Sequence, residues 1–220
     1  MESALLDLNA IWEIPGDHDG MLLGAAGLLE ARVMLPEQKQ GKKIALLGHP
    51  HSLQGGSMQN KVVTTLARMF SSRGIPSVRF NFRGVGASAG VYDAGIGESE
   101  DMLVLAQHLK MLFPEADLLF AGFSFGSFVA YRAAAQMPHQ LLLTVAPPVN
   151  HVNFEAFEVA PQPWLLVQGD SDEVIPSRLV FEFASKHAIR VLKFEDTGHF
   201  FHGRLTLLKT RILEALDEIL

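Results

Sequence analysis

The stretch Leu118-Leu119-Phe120-Ala121-Gly122-Phe123-Ser124-Phe125-Gly126 carries a serine between two glycines, at the point where an apolar run gives way to an Ala-rich segment. Apolar runs of this length, bounded by glycine, suit strands buried on both faces of a parallel sheet. The segment after it, Phe125 to Gln136, reads as a helix ended by Pro138. A serine in so tight a strand-to-helix turn has the nucleophile-elbow pattern, in which the hydroxyl stands clear of the backbone. The glycines let strand and helix approach where a Cβ would collide. Ser124 is therefore the candidate nucleophile, and the rest of the chain can be searched for what it would need.

Working outward, apolar runs recur at Lys43 to Gly48, Ser77 to Phe82, Leu141 to Ala146, Trp164 to Gln168 and Arg190 to Phe194. An alternating run, Leu28 to Leu35, reads as a strand near one edge of the sheet, with a further strand around Met21 to Ala26. Helical stripes lie between them. Met58, Val62, Leu66 and Phe70 form one, stopped at Gly74, and Met102, Leu105, Leu109 and Leu112 form another, with Glu98, Glu100 and Asp101 at its start. Arg178 to Lys186 is a shorter helix, and Leu205, Leu208, Ile212, Leu216 and Ile219 mark a terminal one. Regular alternation of strand and helix predicts a single α/β domain over residues 1–220 with a largely parallel sheet. In such sheets active groups gather at the carboxyl ends of the strands.

A serine hydroxyl needs an adjacent base, and a histidine base needs an orienting carboxylate. The loop after Trp164 to Gln168 reads Gly169-Asp170-Ser171-Asp172-Glu173-Val174-Ile175-Pro176, and the loop after Arg190 to Phe194 reads Glu195-Asp196-Thr197-Gly198-His199-Phe200-Phe201-His202. The order Ser124, Asp172, His199 is the one this architecture uses. Asp170, nearly on the strand, competes with Asp172 for the acid role, and Glu173 reads as a solvated surface charge. His202, against the terminal helix, competes with His199. Backbone donors for an oxyanion are expected at Phe125, directly after the nucleophile, and in the loop His49-Pro50-His51-Ser52, where Pro50 has no N–H and His51 is preferred over Ser52. Ser52, Phe123 and Phe200 are candidate substrate contacts. Roughly 17 residues separate the strands ending near Ala146 and starting near Trp164, too few for a cap domain. Their Pro147, Pro148, Phe154, Phe157, Pro161 and Pro163 predict a short apolar flap or ordinary loop packing.

The segments Gly48 to His51, Gly55 to Met58, Asn81 to Ser88, Gly122 to Ser127, Gly169 to Pro176 and His199 to His202 together resemble the α/β-hydrolase superfamily. The likeness, from about Ile44 to Arg204, is to its small bacterial members without a cap domain, related to dienelactone hydrolases and carboxylesterases. That resemblance implies a mostly parallel sheet of about eight strands with helices on both faces. It also implies a Ser-His-Asp triad acting on small acyl esters, with thioesters, lactones or aminoacyl amides as alternatives, and no cofactor or metal. Ser52 departs from the proline of close relatives, and the first forty residues add little to the likeness.

Composition narrows the classes further. The chain has 220 residues, of which 48% are apolar and 19% charged, no cysteine, and a net charge of -6. This is a globular composition without disulfide or thiolate chemistry, and nothing in it recommends a nucleic-acid or membrane partner. The start Met1-Glu2-Ser3-Ala4 lacks a basic segment ahead of an apolar one, so a cytoplasmic protein, monomeric or dimeric, is the expectation. Three rival readings follow from other features. Gly84-Val85-Gly86-Ala87-Ser88-Ala89 loosely fits a dinucleotide fingerprint of an oxidoreductase. His49, His51, Asp170, Asp172, His199 and His202 include zinc-type ligands. An α/β domain used only for binding would lack a triad member.

Overall fold

The structure is a computed structural model that describes residues 4–157 and 163–220. Its strands are β1 (Gly16–Gly24), β2 (Gly27–Leu35), β3 (Lys43–Gly48), β4 (Ser77–Phe80), β5 (Asp117–Phe123), β6 (Leu141–Val145), β7 (Trp164–Gly169) and β8 (Arg190–Phe194). The helices are α1 (Leu8–Ile11), α2 (Lys61–Ser72), α3 (Ile96–Leu112), α4 (Phe125–Ala134), α5 (Ser177–Lys186) and α6 (Leu205–Asp217), with a 3₁₀ turn at Ser52–Gln54. One eight-stranded sheet runs in the order β1-β2-β4-β3-β5-β6-β7-β8. The pairs β1–β2 and β2–β4 are antiparallel, and every pair from β4–β3 to β7–β8 is parallel.

The apolar runs read as they do because both faces of the sheet are covered. Ile44, Leu46, Leu118 and Phe120 point to one face, where α3 and α4 contribute Met102, Leu105, Leu109, Val129 and Ala133. The alternate residues Ala45, Leu47, Leu119 and Ala121 meet Val62, Leu66 and Phe70 of α2 and Leu208, Ile212 and Leu216 of α6. Leu166 packs against Val180 and Ala184 of α5. With strand side chains alternating between faces, a strand buried on both has no polar alternate to lose.

Three local expectations shift. The strand expected at Met21 to Ala26 is the longer β1, which begins at Gly16 and closes on β2 through Ala25 and Ala26. The stripe from Met58 belongs to α2 only from Lys61, because the Asn60 side chain accepts the Val62 N–H and starts the helix there. Met58 is buried ahead of it, its N–H bonded to Asn81 Oδ1 at 2.9 Å. The short α1 was not legible as a stripe. It is capped by Asp7, whose Oδ1 accepts from Asn9 and Ala10. None of the described helices is long and apolar enough to cross a membrane.

Candidate active site

The parallel strands deliver several loops to one end of the sheet. At the first, β5 ends at Phe123 and Ser124 turns the chain with φ 53° and ψ -122° before α4 begins. A non-glycine residue in that region costs of order 1–3 kcal/mol and persists only where its surroundings impose it. The surroundings are tight. A Cβ on Gly122 would lie 2.1 Å from the Gly126 carbonyl oxygen, and one on Gly126 would lie 2.3 Å from the backbone of Gly48. The Ser124 N–H donates to Val145 O at 2.8 Å, and the Ser127 hydroxyl reaches Gly122 O at 2.8 Å and Val145 O at 3.0 Å. Backbone hydrogen bonds and close packing thus hold the turn.

The loop after β7 presents Asp172 as a saturated acceptor. Its Oδ1 accepts the Val174 N–H at 2.9 Å and the Ile175 N–H at 2.7 Å, and its Oδ2 accepts from Gln168 Nε2 at 2.9 Å. The same Oδ2 lies 2.9 Å from Nδ1 of His199. Burial alone would raise this carboxyl, but the hydrogen bond from His199 and then the Ile175 and Val174 N–H groups outweigh it and hold it below the ordinary carboxylate range. An ionised carboxylate only accepts, so His199 carries its proton on Nδ1 and turns a lone pair outward from Nε2. That Nε2 lies 3.0 Å from Ser124 Oγ. His199 is nearly fully buried, with its ring centroid 5.1 Å from Phe123 and 5.0 Å from Phe200.

Asp170 is elsewhere: it pairs with Lys193 at 3.2 Å and accepts from the Ser171 hydroxyl at 3.0 Å. Glu173 corrects the reading of a free surface charge. It is exposed, yet its Oε2 accepts the His199 backbone N–H at 3.1 Å and so ties the two loops together. His202 is exposed and stacks on Phe200.

The loop after β3 is shaped by His49. Its Nε2 accepts the Phe82 N–H at 2.9 Å, so its proton sits on Nδ1 and is donated to Pro50 O at 2.7 Å. Burial disfavours its charged form and lowers its pKa to about 4. The following turn closes on His51, whose carbonyl accepts from Gln54 and Gly56, each at 3.0 Å. Among the described residues the N–H groups of His51 and Phe125 have no backbone acceptor in this turn or at the helix start. Both residues line the same cavity as Ser124.

That cavity, of about 360 Å³, is further lined by Gln54, Tyr92, Ala94, Pro148, His151, Val152, Val174 and Ile175. The expected contacts Ser52, Phe123 and Phe200 are not in its wall. Phe123 is fully buried behind His199, Phe200 is 40% exposed beside His202, and the Ser52 hydroxyl is buried in its turn. Sequence reasoning missed Tyr92 because the motifs weighed in the loop after β4, the hydrolase-like Asn81 to Ser88 and the nucleotide fingerprint Gly84 to Ala89, both stop short of it. The strand-end rule applies to that loop as well. The expected flap supplies Pro148, His151 and Val152, whereas Phe154 turns inward onto Tyr131 and Trp164. Residues 158–162, including Pro161, lie outside the described residues.

The rival constellations come apart in space. The N–H of Ala87, in the glycine loop, donates to the Glu30 carboxylate at 3.2 Å, and α3 starts only at Ile96, so a carboxylate sits where a phosphate would be needed. Of the zinc-type ligands, His49 has both ring nitrogens engaged and Asp170 is tied to Lys193. Among the described residues no group of three or more such side chains is placed to hold a metal ion.

No protein-family model matches the chain. It is 37% identical to an α/β serine hydrolase without lid from Xanthomonas campestris, with a TM-score of 0.88 over 92% of this chain and 94% of that one. An α/β serine hydrolase homologue from Coxiella burnetii is 38% identical, with a TM-score of 0.87 over 92% and 99% of the two chains. An uncharacterized protein of Rickettsia prowazekii is 37% identical over 137 residues, 60% of this chain. The match spans only 58% of that curated relative's length.

Proposed function

The chain belongs to the α/β serine hydrolases without a lid, and from that premise we propose that it is a carboxylesterase-type enzyme cleaving small acyl esters through Ser124, His199 and Asp172. The observation that carries this reading is the continuous hydrogen-bonded line Ser124 Oγ to His199 Nε2 to Asp172 Oδ2, at 3.0 and 2.9 Å, at the edge of a cavity.

In this mechanism His199 Nε2 takes the Ser124 proton as Oγ attacks the ester carbonyl. Asp172 keeps the proton on Nδ1 and stabilises the imidazolium that forms. The negative charge that develops on the carbonyl oxygen is met by the N–H of Phe125, at the start of α4, and by that of His51. His199 then protonates the departing alcohol, and water activated by the same nitrogen releases the acyl group. Removing the nucleophile or the base from such a unit costs nearly as much as removing all three groups, and removing the carboxylate costs less.

The experiment is labelling with a fluorophosphonate probe, followed by turnover of a panel of acyl esters, thioesters, lactones and aminoacyl amides. The expected result is modification of Ser124 and preferred turnover of esters. Ser124→Ala should abolish labelling and lower kcat by several orders of magnitude. Labelling without ester preference would move the substrate to the class turned over, and full activity in Ser124→Ala would sink the mechanism.

A further inference from the structure

The cavity beside Ser124 has a chemistry of its own. Its wall on one side is aromatic: the ring centroids of His51, Tyr92 and Phe125 lie 5.0, 5.1 and 5.8 Å apart. The other lining residues include the aliphatic Pro148, Val152, Val174 and Ile175. No lysine or arginine is among the lining residues. Glu98, fully buried, stands behind the aromatic wall. Its two carboxylate oxygens accept the N–H groups of Asp93 at 2.9 Å and Gly95 at 2.8 Å, in the loop that carries Tyr92. Its charge acts on both Tyr92 and His51.

The cavity also has a side. In the mechanism above the leaving alcohol must reach His199 to be protonated. His199 and its neighbour Phe200 are not in the cavity wall, whereas Ser124, Phe125 and His51 are. That arrangement favours the acyl group over the leaving alcohol as the occupant of the cavity.

Resting on the esterase reading, we infer that this cavity is an acyl pocket selective for uncharged, aryl-bearing acyl groups, with Tyr92 as its specificity-determining residue. A ring entering it stacks or meets edge-on the Tyr92 and His51 rings, an arrangement aromatic groups favour beyond simple burial. Its edge meets the Tyr92 hydroxyl, already 3.1 Å from His51 Nε2. A carboxylate on the same ring would leave water for a wall with no lysine or arginine and with Glu98 behind it. Burying an unpaired charge is among the costliest changes a site can make. The absence of lysine and arginine from the wall thus acts as discrimination against anionic acyl groups.

The test compares 4-nitrophenyl acetate, 4-nitrophenyl benzoate and the 4-nitrophenyl monoester of terephthalic acid, which share a leaving group and differ only in the acyl part. The expected kcat/KM for benzoate exceeds that for its carboxylated analogue by at least about a hundredfold, in line with an unpaired buried charge. Tyr92→Ala should lower the benzoate-to-acetate ratio by about tenfold, while Tyr92→Phe retains it. Val174→Lys, at a position 41% exposed, should raise the terephthalate-to-benzoate ratio by about tenfold or more by supplying the missing cation. Equal turnover of benzoate and terephthalate monoesters, or a benzoate-to-acetate ratio unmoved by Tyr92→Ala, would overturn the inference while acetate turnover and Ser124 labelling leave the esterase reading intact. Failure to label Ser124, or to turn over any of the three esters, would overturn both.

Discussion

At the residue scale, the sharpest question is which acid serves His199. Asp172 accepts four hydrogen bonds and Asp170 faces Lys193. Asp172→Asn should therefore lower kcat by about 10⁴, since an amide can favour the wrong imidazole tautomer. Asp170→Asn should leave kcat within a few-fold; steady-state kinetics on one ester separates the two. The depressed Asp172 carboxyl stays ionised through mildly acid pH, and its contribution to stability is lost only as pH falls through its native value. His49 acts with the same sign in a higher pH window. Its native pKa of about 4 lies below the ordinary imidazole value. Between about pH 6.5 and 4 the unfolded chain binds a proton at this position that the folded chain refuses. Stability should drop by about 3 kcal/mol as pH falls across that range. Urea unfolding at a series of pH values should show this slope, and His49→Gln should flatten it.

At the scale of elements, the strand-to-helix junction of β5 and α4 is the part with least freedom. Gly122→Ala places a methyl against the Gly126 carbonyl, so stability should fall by 2 kcal/mol or more, about the cost of overpacking. Labelling of Ser124 should fall with it, because the elbow cannot move without moving the hydroxyl. The segment after β6 is held differently. The Tyr131 hydroxyl donates to Phe157 O at 2.7 Å and accepts the Phe157 N–H at 2.9 Å, a two-way clamp from α4 onto the segment that supplies His151 and Val152. Tyr131→Phe removes the clamp but keeps the ring among Phe154 and Trp164. The expected outcome is a raised KM for aryl esters with kcat nearly unchanged. The elements themselves were largely legible: the stripe Leu208, Ile212, Leu216 is periodic because one face of α6 is buried, and the runs of β3 and β5 are continuous because both faces of the sheet are covered. The short α1 was not, because four residues held by one Asp7 cap leave no period to read.

At the scale of the whole molecule, stability and chemistry occupy different regions. The face covered by α2 and α6 packs mainly aliphatic and phenylalanine side chains, and the loops that carry Ser124, Asp172 and His199 emerge at one end of the sheet. Ile212→Ala should cost about 2–5 kcal/mol of stability, as buried isoleucines do. It should leave kcat/KM at low temperature unchanged; thermal unfolding and kinetics on the same sample check both. The sequence by itself determined the α/β alternation, the elbow at Ser124 and the chain order of the candidate triad, since these are local patterns imposed by backbone sterics and by burial on alternate faces. The tertiary structure set Asp172, the acid the sequence already favoured over Asp170, against His199, and it alone decided that Glu173 ties down the histidine loop. It also decided that the wall beside Ser124 is built from Tyr92, His151 and Val152 instead of Ser52, Phe123 and Phe200. Those outcomes depend on how loops from four separate strands converge, and the direction in which a loop side chain points is set by neighbours distant in sequence rather than by the residues beside it.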